Sequence, residues 1–207
     1  MTILYSIHPD NPQARLIKQA AMQIERGAIA ALPTDSNYAF VARLDDKDAA
    51  LKIRRLRGVD DRHHMTLLCS DLSQIATYAR VDNRQYRLLK SATPGPFTFI
   101  LEATKEVPRR LSHPSRKTIG IRVPDHPIAL MLLAEIGAPL MSTTLIPAGE
   151  SEALNDAEEI QARFEHQIDL VVAAGACAAA PTTVVDLTED PPELLLLGAG
   201  APERLGL

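Results

Sequence analysis

An α+β (mixed α/β) fold, with helices flanking a single mixed sheet, is predicted by three features of this sequence. Strand-like and helix-like stretches alternate irregularly, which disfavours a strict strand-helix-strand series and an all-parallel sheet. The 207 residues are 46% hydrophobic, enough for one substantial core and short for two, so a single domain over residues 1–207 is expected. An apolar run through Leu32 stops abruptly at Pro33-Thr34-Asp35-Ser36, as a central strand does on leaving a sheet.

In chain order, Asn11-Pro12 reads as a helix start, with asparagine as cap and proline at the first helical position. Leu16, Ile17, Ala20, Ala21 and Ile24 share one face of that helix, and Gly27 ends it. Pro33 closes the following strand because it has no N–H for a ladder. Asp46 is placed to cap a helix whose Ala49, Ala50, Ile53 and Leu56 face the core and whose Lys52, Arg54 and Arg55 face solvent, stopped by Gly58. His63 to Cys69 reads as a second buried strand; its adjacent histidines point to opposite faces and are unsuited to one metal ion. Short helices begin near Asp71 and Asp82. Phe97 to Ala103 and Thr118 to Val123 are strands joined by a basic, Pro-containing loop. A helix over His126 to Ile136 closes at Gly137, a strand covers Leu140 to Thr144, and Pro147 to Asn155 reads as a mobile loop. A helix from Asp156 to near Glu165 and strands over Ile168 to Ala173, Thr183 to Leu187 and Leu194 to Leu197 complete the pattern, without internal repeat or linker.

No apolar run approaches the ~20 residues of a membrane span, and the first residues lack the order of a secretory leader, so a cytoplasmic protein is expected. Cys69 and Cys177 stand in apolar contexts without metal-ligand spacing and read as buried free thiols; no metal site is visible. A net charge of −4 argues against indiscriminate nucleic-acid binding. The charge is uneven, however. Lys47 to Arg62 carries a surplus of +3 and Leu101 to Arg122 one of +4, leaving −11 for the remainder. Two basic segments on an acidic chain are expected to converge on one anion-binding surface.

The polar cluster beyond Pro33 has two readings. It is a ligand site at a strand end, lining the deepest polar pocket, or a turn whose Thr34, Asp35 and Ser36 side chains satisfy their own backbone. No nucleophile elbow and no P-loop are present.

Pro33-Thr34-Asp35-Ser36-x-Tyr38 resembles the Pro-Thr-Asp-Thr-x-Tyr signature of YrdC-like domains. Pro94-Gly95-Pro96-Phe97-Thr98, Ile121-Arg122-Val123-Pro124 and Pro181-Thr182-Thr183-Val184-Val185-Asp186 resemble three further stretches of that family, in its order. His8 to Pro12 and Lys105 to Leu111 are similar to the YciO branch. The resemblance implies one strongly twisted mixed sheet with a concave, positively charged groove. In the family's main branch ATP, bicarbonate and L-threonine give threonylcarbamoyl-AMP and pyrophosphate, with Mg²⁺ on the phosphates, for the threonylcarbamoyladenosine modification of tRNA. It further implies that Thr34 contacts the amino acid, Arg122 its carboxylate, and Thr183 the same pocket, while Arg57, Thr98, Ser142 and Thr144 hold the nucleotide. The partners implied are ATP or AMP and L-threonine, with tRNA or double-stranded RNA in the groove, and no membrane.

Three positions depart from the synthases. Arg57-Gly58-Val59 stands where they have Lys-x-Arg, Ser142-Thr143-Thr144 where they have Ser-x-Asn, and Leu196-Leu197-Gly198 where they have Arg-x-Gly. A hydrogen bond to a charged group is worth about 1.5–3 kcal/mol, so the loss of two cations weakens triphosphate binding by orders of magnitude. Weak or altered synthase activity is therefore one expectation, nucleotide or double-stranded RNA binding without chemistry a second, and a fully active synthase the alternative.

Overall fold

Side chains that compete for unpaired backbone donors decide where most helices begin. The structure is a computed structural model that describes residues 1–207. Its first helix, α1 (Ala14–Glu25), lacks a side-chain cap and starts after Gln13, later than the Asn11 cap expected from sequence. The reason is a local turn: His8 Nδ1 accepts the N–H groups of Asp10 and Asn11, and the His8 N–H donates to Gln13 Oε1. The other five are capped by Asp46, Asp71, Asp82, His126 and Asp156. These are α2 (Lys47–Arg57), α3 (Leu72–Tyr78), α4 (Asn83–Ala92), α5 (Pro127–Ile136) and α6 (Ala157–Arg163).

Ten strands form one mixed sheet: β1 (Ile3–Ser6), β2 (Ala30–Leu32), β3 (Ala39–Arg43), β4 (Thr66–Leu68), β5 (Phe97–Glu102), β6 (Thr118–Arg122), β7 (Leu140–Thr144), β8 (Leu170–Ala173), β9 (Thr183–Asp186) and β10 (Glu193–Leu196). Their order is β1-β8-β2-β3-β7-β4-β6-β5-β9-β10. β1 and β3 have no counterpart in the sequence reading. β1 has only four residues, and Ala39 to Ala42 are buried on both faces, so neither shows the alternation that betrays a half-exposed strand. β4 is shorter than expected, leaving His63 and His64 ahead of it.

Alternation along the strands builds two unequal cores. Phe99, Ile121, Met141 and Val185 point to the face covered by α2, α3, α4 and α6, which bury Ile53, Ile75, Leu89 and Ile160 against it. On the other face α1 and α5 pack over β2, β3 and β8, with Leu68 and Leu140 at the margin of that smaller core. Beyond the margin the same face continues as Thr66, Thr98, Gly120, Arg122, Ser142 and Thr144, and the apolar pattern gives way to hydroxyls.

Arg54 is a correction. It was expected to face solvent, yet it is 6% exposed and donates to the carbonyls of Asp60 (2.5 Å), His63 (3.1 Å) and Arg110 (3.4 Å). The loop between β5 and β6 folds back over that side of α2, which helical periodicity alone does not reveal.

Candidate functional site

The hydroxyl-bearing part of the sheet meets the Pro33–Tyr38 turn at a narrow cavity of about 40 Å³. Thr98, Arg122, Ser142 and Thr144 line it together with Ser36, Asn37 and Thr182. Register explains the meeting: Thr66 stands opposite both Gly120 and Ser142 across adjacent strands. A Cβ on Gly120 would lie 3.0 Å from Thr66 Oγ1 and 3.4 Å from Thr98 Cγ2, so a glycine keeps the floor low.

Arg122 is 7% exposed and pinned. Its Nη1 donates to Ser36 Oγ (3.1 Å), its Nη2 pairs with Asp35, and its Nε is buried without a partner. Burial lowers its pKa, and the Asp35 carboxylate works in the opposite direction. The second Asp35 oxygen accepts the Asp125 N–H (2.9 Å), so that carboxylate is fully engaged.

Thr34 is buried, but its hydroxyl closes the turn on itself, donating to the Asn37 carbonyl (2.7 Å) and accepting the Ser36 N–H (3.2 Å). It stands behind the cavity wall, while Ser36, Asn37 and Tyr38 form that wall. The self-satisfied turn thus describes Thr34, while Ser36, Asn37 and Tyr38 face the cavity. Thr98 Oγ1 lies 2.8 Å from Thr182 Oγ1, and Ser142 Oγ donates to the Thr66 carbonyl (3.0 Å). Thr144 is exposed at the end of β7.

Thr183 is not brought to the cavity. It is fully buried, and its hydroxyl donates to the Gly200 carbonyl (2.6 Å) and accepts the Gly198 N–H (3.0 Å). Neighbouring strand residues point to opposite faces, so its partner in the Thr-Thr pair, Thr182, reaches the cavity instead. Arg57 stands outside the lining, half-buried, with an unpartnered Nε and no carboxylate within 4.0 Å. Burial lowers its pKa. It is linked to the site through His63, whose Nε2 lies 3.0 Å from Thr143 Oγ1 and whose pKa falls to about 4 through burial and the nearby Arg57 and Arg54 guanidiniums. Leu196 is exposed on the edge strand β10.

Residues 175–181 run as a strap over the turn. Tyr38 Oη donates to the Gly175 carbonyl (3.1 Å), the Ala179 N–H to Ser36 (3.0 Å), and Asn37 Nδ2 to the Ala180 carbonyl (3.0 Å). Burial raises Tyr38 to about 12 and the Cys177 thiol of the strap to about 11, so both stay protonated at neutral pH. Asn155, from the loop expected to be mobile, is tied to the same turn by its bond to Asn37 Oδ1 (3.1 Å). The sequence reading missed Thr182, Asn155 and the strap; for Thr182 the doubled threonine is a signal, but parity needs the register.

The two basic segments do meet, at a different place. Lys47 and Arg54 of α2 face Arg109 and Arg110 of the β5–β6 loop across a groove of about 310 Å³. A larger depression of about 460 Å³ lies near Arg43, Tyr78 and Ile136. Its arginine is spent on Asp45 and the Glu25 carbonyl, so size there comes without a free cation. No three His, Cys, Asp or Glu side chains converge as metal ligands, and no helix is long and apolar enough to cross a membrane.

A family model described as telomere recombination (Sua5/YciO/YrdC) matches residues 22–198. The chain is 48% identical over 200 residues to the Escherichia coli protein YciO, covering 97% of each, and superposes on the E. coli YciO crystal structure with a TM-score of 0.95 at 47% identity, covering 99% of this chain and 100% of that one. It is 29% identical over 157 residues to a threonylcarbamoyl-AMP synthase of Halorhodospira halophila, 75% of this chain and 81% of the relative. The P. abyssi Sua5 structure complexed with L-threonine matches with a TM-score of 0.88 at 27% identity, over 95% of this chain and 58% of that one. The chain belongs to the Sua5/YciO/YrdC family, on its YciO branch.

Proposed function

We propose that the cavity takes an AMP-sized nucleotide and that synthase turnover of ATP, bicarbonate and L-threonine is weak. The observation that carries this reading is the inventory of donors. The wall offers hydroxyls and the Asn37 carboxamide, Arg122 is already neutralised by Asp35, and Arg57, outside the lining, is a cation without a carboxylate partner. Holding and cleaving a triphosphate rests on positioning and on several fixed charges. A monophosphate asks for fewer. Mg²⁺ would arrive on the ATP phosphates as part of the substrate. L-threonine would meet Ser36 and Arg122, with Thr34 supporting the turn from behind. Because a cavity of about 40 Å³ is far smaller than a nucleotide, only part of the ligand would enter it and the walls would have to open to take more.

The test is pyrophosphate release with ATP, Mg²⁺, bicarbonate and L-threonine, beside a synthase that keeps Lys-x-Arg. Two missing charge-assisted contacts put the expected rate about a hundredfold or more below that enzyme. A Val59→Arg, Thr144→Asn, Leu196→Arg variant should recover part of it. Equal rates in parent and synthase would refute the reading. Duplex RNA is the second reading, favoured by the meeting of the two basic segments; binding that falls steeply with salt supports it, and salt-independent or absent binding removes it.

A further inference from the structure

The groove between α2 and the β5–β6 loop has a chemistry of its own. Lys47, Ala50, Leu51 and Arg54 recur at positions i, i+3, i+4 and i+7, a single stripe of α2, and Arg109 and Arg110 close the groove from the loop. Lys47 and Arg109 have no carboxylate within 4.0 Å and no side-chain hydrogen bond, on a chain whose net charge is −4. Arg54 is committed to three carbonyls and forms a fixed wall. One anion, Asp61, also lines the groove; it lies 3.8 Å from Arg54 Nε and is paired with that arginine, so one carboxylate stands against the four cations of the lining. Leu51, 43% exposed, and Ala50 supply an apolar floor.

The Lys47 ammonium and the Arg109 guanidinium fork, with Arg110 held beside them by its bond to the Leu44 carbonyl (2.9 Å), stand around an apolar floor and match an anion with several acceptor oxygens on a compact apolar body. A carboxylate has two such oxygens and a phosphomonoester three. The volume of about 310 Å³ falls at the lower end of small-ligand pockets. We propose that this groove is a second binding site, separate from the cavity, for a small phosphomonoester such as a nucleoside monophosphate. It does not depend on the nucleotide reading of the cavity, because the two sites share no lining residue.

The experiment is an NMR titration of isotope-labelled protein with AMP, inorganic phosphate and adenosine, following the Leu51 methyls and the Arg109 side chain. AMP should shift both, phosphate should shift Arg109, and adenosine should bind more weakly than AMP. Lys47→Gln and Arg109→Gln should each weaken AMP at the groove about fivefold, and together about 25-fold, as expected for exposed charge pairs. Both residues are exposed, so the fold should survive. Arg57→Gln should leave the groove shifts intact while reducing those at the cavity, which separates the two sites. Unshifted Leu51 and Arg109 at millimolar AMP, or affinity indifferent to both substitutions, would overturn the proposal. So would duplex RNA shifting the groove where AMP and phosphate do not, since that outcome assigns it to a nucleic-acid backbone.

Discussion

Thr183→Val removes one oxygen and keeps the shape of the side chain, and it distinguishes a structural hydroxyl from a ligand-binding one. In the wild-type protein that oxygen serves both the Gly200 carbonyl and the Gly198 N–H in a site with no solvent exposure. Valine leaves both groups unpaired. Each buried orphan costs about 1–3 kcal/mol, less for Gly198 because it is half-buried, which totals about 2–4 kcal/mol. For a chain of this length that is a fall in Tm of about 5–15 °C. Local rearrangement offers little relief: a Cβ on Gly200 would sit 2.7 Å from the Phe97 ring, and one on Gly198 2.3 Å from the Pro181 carbonyl, so the segment is already at closest approach. Thermal unfolding followed by circular dichroism, paired with AMP titration, reads both quantities. The expected result is a large loss of stability with affinity intact in the folded fraction, whereas Thr182→Val lowers affinity and costs little stability. A Thr183→Val protein with unchanged Tm and lost AMP binding would refute the assignment.

Two other perturbations test the site's electrostatics. Asp35→Asn leaves the buried Arg122 guanidinium without its counter-charge and should cost about 3–5 kcal/mol in urea unfolding; a loss under about 1 kcal/mol would mean that water reaches the arginine. His63, held neutral down to about pH 4 in the folded state, takes up a proton near 6.5 when unfolded. The unfolded state therefore binds more protons between those values, and stability falls as pH drops through that window. After allowance for its partial exposure, His63 should account for about 1 kcal/mol between pH 7 and pH 5, seen as a smaller acid loss in His63→Gln. His64 and His126 are shifted the same way, so only the difference between the two proteins is diagnostic.

Much of the architecture was legible because local chemistry and global fold agree. Asp46, Asp71, Asp82 and Asp156 cap where their spacing from apolar faces says they should, and Gly58 and Gly137 adopt the left-handed conformation that ends a helix. Failures occur where a long-range neighbour decides. Arg54 looks solvent-facing on a helical wheel until a loop more than fifty residues later offers the Arg110 carbonyl. Thr183 and Thr182 are chemically identical, and only the pairing of Phe97 with Thr183 fixes which one reaches the cavity. The motif around Thr34 marked the right place, but the residues that form the wall are the ones after it.

The order of the strands has a mechanical consequence. β1 and β10 are the two edges of the sheet, so nine strand spacings of about 4.8 Å, or about 40 Å before twist, separate the first strand from the last. Pulled from those two strands, the sheet is loaded along its hydrogen bonds rather than across them. Rupture then proceeds one short ladder at a time from either side, as a zipper opens, and the four-residue strands at each edge should yield first, at low force, while the cavity strands β4 to β7 in the middle are still intact.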